Sequence, residues 1–179
     1  LGGQLTDWSD GFIDRFVAAG FQVITFDNRD QGLSTEFDWE PPTQTRAVLA
    51  TLVKRPPKAD YLITDMANDA IGLLDALGIE QAHVVGMSMG GMIAQTAAIR
   101  HPDRIRTLTS LMSTTGERYY GKPRAYRALL GRMPRDREGA IRRGVALFHA
   151  LVGPGFPLDE ARCRELLERS LDRCPANPE

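Results

Sequence analysis

The stretch "HVVGMSMGGMIAQ", residues 83–95, decides the fold. Its apolar opening, with β-branched Val84 and Val85, reads as a buried strand, and the small residues from Gly90 onward read as a helix. Ser88 falls at the bend, inside the pattern Gly86-Met87-Ser88-Met89-Gly90. A chain that turns from strand to helix in so few residues holds the serine in a strained conformation, lifting its hydroxyl clear of the backbone, while the flanking glycines let the turn pack closely. The helix that follows aims its N-terminus at the same spot. The N–H of Met89 and the helix dipole would therefore favour negative charge developing beside Ser88. That is half of an oxyanion hole.

Outward from this bend, strand and helix patterns alternate up to about residue 112. Trp8, Phe12 and Phe16 lie four apart in "TDWSDGFIDRFVAAG", one face of a helix that Gly20 would end. "FQVITFD" (21–27) reads as a short buried strand. A polar connection over 38–58 carries Pro41, Pro42, Pro56 and Pro57. Asp60 is the expected N-cap of a helix to Leu77, with Leu62, Met66, Leu73, Leu74 and Leu77 at helical spacing and Gly78 as its stop. "QAHVVGM" (81–87) is the next strand, "GGMIAQTAAIRH" (90–101) the next helix and "IRTLTSLM" (105–112) the strand after that. The expected class is α/β, a parallel sheet with helices on both faces. From Ser113 no strand-like run follows, and helical stretches are broken at Pro134, Gly153, Pro154 and Pro157. Residues 1–112 are thus read as the core and 113–179 as a helical cap. Residues 118–143 carry nine Arg or Lys against two acids, which is read as a solvated helical surface.

Composition narrows the function. The chain has 179 residues, 42% of them hydrophobic, enough for one ordinary core. A net charge of −1 gives no general attraction to nucleic acid or anionic membranes, and no apolar run approaches the roughly 18 residues of a membrane span. No charged-then-apolar leader is evident. Cys163 and Cys174 are eleven apart in one expected helix, about 16 Å of rise, too far for a disulfide, so a reducing cytoplasm is the expected location. There is no HxxxH, no CxxC and no clustered histidine, so no metal and no cofactor are expected.

With "GMSMGG", the segments "LGGQLTDW" at the front, "FDNRDQGLS" after the first strand and "HPDRIRTLTSL" after the bend carry a resemblance over residues 1 to about 112. The chain resembles the α/β-hydrolase superfamily, in the branch of esterases and methylesterases related to aclacinomycin methylesterase. The resemblance implies a partial α/β-hydrolase fold with Ser88 as nucleophile and the Met89 N–H as one oxyanion donor. It implies Leu1 as the second donor, with Gly2 and Gly3 letting that loop approach the substrate and with Gly2 and Gln4 against the substrate. The His-Gly pair that usually precedes this donor is not in the sequence. "DNRDQGLS" matches a family turn in which Asp30 replaces a glycine; it implies that Asp27, Arg29 and Gly32 are scaffold behind the oxyanion loop.

A serine needs a general base. His83, five residues before Ser88 on the same strand, would be about 16 Å away and out of phase. His101, at the far end of the following helix, would be about 20 Å away. Nothing in the sequence fixes the distance of His149. In the family the acid and base follow the cap. The chain also opens on Leu1 without a methionine and ends on "CPANPE", so it reads as a fragment holding the nucleophile but lacking acid and base. In this fold the strand preceding Leu1 would lie between "FQVITFD" and "HVVGM", so the isolated stretch is expected to fold poorly. A serine rather than an aspartate at the bend argues against dehalogenase and epoxide-hydrolase chemistry. The expected substrate is a small-molecule ester, with thioesters, perhydrolysis and C–C cleavage as related chemistry. A non-catalytic receptor of the same fold is the alternative.

Overall fold

The computed structural model describes residues 3–38, 59–116, 134, 136–153 and 155–174. The chain divides into two compact units that do not follow its order: Leu1 with Phe37–Tyr119, and Gly2–Glu36 with Tyr120–Glu179.

The first unit contains helix α2 (Ile63–Ala76), strand β1 (Ala82–Met87), helix α3 (Met89–Arg100) and strand β2 (Ile105–Leu111). The strands are parallel, pairing Gly86 with Ser110 and Met87 with Leu111. Met66, Ala67, Ile71 and Leu74 recur on one face of α2 and bury against Ile93 and Ala97 of α3; Ile79, Ala82 and Ile105 pack on the same cluster. Asp60 is not the helix cap. The helix starts at Ile63, and the Asp65 carboxylate, 2.6 Å from the Leu62 nitrogen, takes the role of holding the entering backbone. Gly78, at φ +67°, ends α2 as its sequence position suggests, with the Ile79 N–H returning to the Leu74 carbonyl at 2.8 Å. Arg104, just before β2, closes the base of the unit on the Ile79 and Glu80 carbonyls (3.0 and 2.8 Å) and on Asp75 (2.6 Å). Residues 106–111 of β2 are exposed, so the sheet's covering is incomplete among the described residues.

The second unit holds a 3-10 turn (Leu5–Asp7), α1 (Asp10–Ala18), α4 (Arg137–Leu151) and α5 (Glu160–Arg173). The aromatic face of the sequence becomes a ladder: Trp8 stacks on Phe12 at 5.3 Å, Phe12 meets Phe16 edge-on at 5.1 Å, and Phe16 meets Phe21 at 6.1 Å. Asp136 caps α4 through the Gly139 N–H (2.6 Å) and Asp159 caps α5 through the Arg162 N–H (3.0 Å). The two helices pack through fully buried Ile141 and at Gly144, where a Cβ would come within 2.6 Å of Leu167. Cys163 is buried and free, and burial pushes its thiol pKa up.

"FQVITFD" is not a strand. Residues 21–28 form no ladder, and Phe21, Ile24 and Phe26 are exposed. A strand exists only through the neighbour that shares its hydrogen bonds, and the described sheet consists of β1 and β2, in the other unit. Residues 39–58 and most of the basic stretch 118–143 lie outside the described residues; Arg137 and Arg142, which are described, are exposed and face Asp172 and Glu138. No helix among the described residues is long and apolar enough to cross a membrane, and none of their His, Cys, Asp and Glu side chains gather in a group that could hold a metal ion.

Candidate active site

At the carboxyl end of β1 the backbone turns through Ser88 at φ +54°, ψ −119° and enters α3 at the next residue. For a residue with a Cβ this conformation carries strain of order 1–3 kcal/mol, sustained by what surrounds it. Three hydrogen bonds do so. The Ser88 N–H continues the sheet ladder to the Leu111 carbonyl at 2.8 Å, and the Ser88 carbonyl accepts from Gly91 (3.0 Å) and Met92 (3.3 Å). The neighbouring strand end is strained as well, with Met112 at φ +47°.

Gly91 and Met92 N–H groups are thereby satisfied, whereas those of Met89 and Gly90 have no acceptor among the described residues. These first amides of α3 form a small region of positive potential next to the Ser88 side chain.

The glycines differ in what they do. A Cβ on Gly86 would collide with the Gly90 carbonyl, so strand and helix meet there backbone to backbone. Gly90 has open space among the described residues. The close contact is made instead by Gly91, where a Cβ would fall 2.6 Å from Ser113 Cβ and 2.7 Å from Ser110 Oγ. Ser110 Oγ accepts from Gln95 Nε2 at 2.9 Å, and the buried Ser113 hydroxyl has no partner among the described residues. Sequence reasoning missed Gly91, Ser110 and Ser113; the only available signal was the third glycine of "GMSMGG".

Each of the three histidines has a hydrogen-bond partner of its own. His83 Nδ1 lies 2.7 Å from Thr107 Oγ1, His101 Nε2 lies 3.0 Å from Asn68 Oδ1, and His149 Nε2 lies 2.7 Å from Glu160 Oε1.

Leu1 and Gly2 lie outside the described residues. Gln4 belongs to the second unit, where its carboxamide accepts from Arg173 Nη1 (2.9 Å) and donates to the Ser170 carbonyl (3.0 Å). Beside it, buried Asp27 organises the "DNRDQGLS" turn. Its carboxylate accepts the Leu5 N–H at 2.7 Å and the Leu33 N–H at 3.2 Å, and meets Arg173 Nη2 at 2.7 Å. The Ser34 hydroxyl donates to its carbonyl at 2.7 Å. Gly32, at φ +57°, lies against this carboxylate and leaves no room for a side chain.

Burial alone would raise the Asp27 pKa; the Arg173 guanidinium and the Leu5 and Leu33 amides outweigh it and hold the carboxyl below its ordinary value. Asp7 is shifted the other way, raised by burial and, against the Gln4 N–H, by the charge of Asp27. A depressed carboxyl stabilises the fold fully above its unfolded pKa of about 3.9, and that contribution disappears as pH falls through the lower folded value. Asp27→Asn is therefore expected to destabilise the full-length protein by about 2–3 kcal/mol at neutral pH. Urea unfolding from pH 7 down to pH 3 should show wild type and variant converging below pH 4.

Residues 1–152 match the family model of the alpha/beta hydrolase fold. Among curated proteins, the chain is 33% identical to rhodomycin D methylesterase DauP of Streptomyces sp. (strain C5), covering 93% of this chain and 58% of that protein. It is 32% identical, with the same coverage of 93% and 58%, to rhodomycin D methylesterase DnrP of Streptomyces peucetius. The chain thus spans somewhat more than half the length of these relatives. A solved structure of a marine microorganism esterase superposes with a TM-score of 0.54 at 20% identity, over 93% of this chain and 55% of that one, a likeness of fold. With a strand, a serine at positive φ and a helix N-terminus meeting as the sequence resemblance implied, the chain belongs to the α/β-hydrolase fold family.

Proposed function

We propose that the full-length protein is a serine esterase in which Ser88 attacks the carbonyl carbon of a carboxylic ester. The observation that carries this is the backbone of Ser88, φ +54° between β1 and α3, beside a Met89 N–H that has no acceptor among the described residues. A non-glycine residue at positive φ is uncommon, and here it coincides with the start of a helix, where an oxyanion is stabilised.

In this reading a general base takes the Ser88 hydroxyl proton as Oγ bonds to the carbonyl carbon. The carbonyl oxygen becomes an oxyanion facing the Met89 N–H and a second donor, assigned to Leu1. Collapse breaks the carbon–oxygen bond to the alcohol, which leaves with the proton carried by the base, and an acyl-Ser88 remains. Water, deprotonated by the same base, releases the acid and returns the proton to Ser88. The acid and base are proposed to lie outside these 179 residues, since in this family they follow the cap, His83 and His101 are bonded to Thr107 and Asn68, and the chain spans 58% of its methylesterase relatives. Gly2 and Gln4 are assigned to the substrate side of the oxyanion loop and residues 113–179 to a cap over the pocket. The relatives' names point to a methyl ester as the substrate class.

The test is covalent. A fluorophosphonate incubated with the full-length protein should add one equivalent, and peptide mass spectrometry should place the phosphonyl group on Ser88. An adduct on another residue, or none while an ester is being hydrolysed, would overturn the assignment.

A further inference from the structure

Among the described residues three that are not glycine stand at positive φ, Asp30, Ser88 and Met112, and the last two are neighbours in the first unit. The paired strands end on Met87 and Leu111; Ser88 follows the first and Met112 the second, so both lie one step past the last rung, at the carboxyl edge of the sheet. The Ser88 N–H, donating to the Leu111 carbonyl at 2.8 Å, ties the serine to the residue directly before Met112.

Ser88 has a chemical use for its strain. Met112 has no corresponding use in the fold. At φ +47° its Cβ is crowded against the backbone, which glycine escapes altogether and asparagine tolerates better than methionine does. Burial does not offset this, because Met112 is 69% exposed. The serines on either side of it behave differently: Ser110 and Ser113 lie against Gly91 of α3, the first bonded to Gln95 and the second with its hydroxyl buried. A long apolar side chain is thus held out of this unit's packing, on a strained backbone, at the edge where the nucleophile sits. Strain kept without any gain in packing marks a functional position. Methionine supplies an unbranched, polarisable surface that adapts to an apolar ligand.

On the esterase reading above, we infer that Met112 is a specificity-determining residue: its side chain is the apolar surface against which the acyl chain of the ester lies while Ser88 attacks the carbonyl. The acyl side is selected because the alcohol of a methyl ester is a single carbon and offers no chain to recognise. Each methylene that this contact removes from water raises kcat/KM about fourfold, so two covered methylenes favour a long acyl chain over acetyl by about tenfold or more.

The experiment compares full-length wild type with Met112→Asn, Met112→Gly and Met112→Leu on p-nitrophenyl acetate and p-nitrophenyl hexanoate, with active sites counted by fluorophosphonate titration. The ratio of kcat/KM for hexanoate to that for acetate should fall about tenfold in the asparagine and glycine variants and stay within about twofold of wild type in the leucine variant, while acetate turnover per titrated site stays within about threefold in all of them. Thermal melts of Met112→Asn and Met112→Gly should lie within about 2 °C of wild type or above it, since no buried contact is lost and strain is relieved. An unchanged ratio would overturn the proposal. So would an equal loss on both esters, which is the signature of a residue that only props the Ser88 turn, or a melt lowered by several degrees with the ratio kept, which is that of a residue packed by the rest of the protein. Asparagine and glycine both accept the left-handed backbone, and should one of these variants not fold, the other decides. If Ser88 is labelled and the ratio does not move, the esterase reading stands and only the role of Met112 falls; if wild type is not labelled at Ser88, the esterase reading fails and the role of Met112 with it.

Discussion

Ser88→Ala in the full-length protein is expected to lower kcat/KM for ester hydrolysis by at least about 10⁴-fold while leaving thermal stability close to wild type. The loss is this large because the hydroxyl forms the covalent intermediate, and the Met89 amide alone can stabilise an oxyanion but cannot generate one. Alanine keeps the Cβ and therefore the strain of φ +54°. Ser88→Gly separates the two properties. It removes the nucleophile equally, but φ +54°, ψ −119° is a conformation glycine adopts without a Cβ clash, as at the first central position of a type II′ turn. Relief of strain, reduced by glycine's greater unfolded-state entropy, should leave Ser88→Gly about 1 kcal/mol more stable than Ser88→Ala. The pair of variants is thus predicted to be equally inactive and unequally stable, by initial-rate kinetics and thermal melts. If Ser88 served only a tight turn, both would keep their activity and only the glycine would alter the melting temperature.

The bend was legible because every constraint on it is local. Strand, positive-φ serine and helix start all lie within residues 82–92, where periodicity and two glycines are enough to read them. "FQVITFD" shows the opposite case. Its residues have the apolar, β-branched character of a strand, but hydrogen-bonding partners come from elsewhere in the chain, and none of the described strands takes that place. The cap of α2 failed on a smaller scale. Asp60 and Asp65 are both acceptable capping residues, and which carboxylate meets an entering N–H is decided by where the preceding backbone lies. Arg173 was out of reach for the same reason as the strand: its partners are Asp27 and Gln4, well over a hundred residues away, and in the sequence it is one of many arginines. Asp27 itself was read as scaffold behind the oxyanion loop through the family turn, not through any pattern of spacing; the structure has its carboxylate accepting the Leu5 and Leu33 amides.

The three glycines of "GMSMGG" (86–91) around Ser88 should respond to alanine in an order that the motif alone does not suggest. Gly86→Ala is expected to be the most damaging, at about 3 kcal/mol or more, because the new methyl meets the Gly90 carbonyl and the Gly91 nitrogen, backbone atoms of the first turn of α3. Those atoms cannot move unless the helix leaves β1, and with it goes the hydrogen bond from Gly91 that supports the Ser88 carbonyl. Gly91→Ala should cost about 2–3 kcal/mol, since the Ser110 and Ser113 hydroxyls can rotate away but Ser113 Cβ, 2.6 Å from the new methyl, moves only with its backbone. Gly90→Ala meets nothing among the described residues and gains up to about 1 kcal/mol of helix propensity, so it should be neutral or slightly stabilising. Urea unfolding of the three variants of the full-length protein orders them. Were Gly90→Ala the worst of the three, the close approach of strand to helix would have to occur one residue away from where the Ser88 turn requires it, and the register of the whole bend would be wrong.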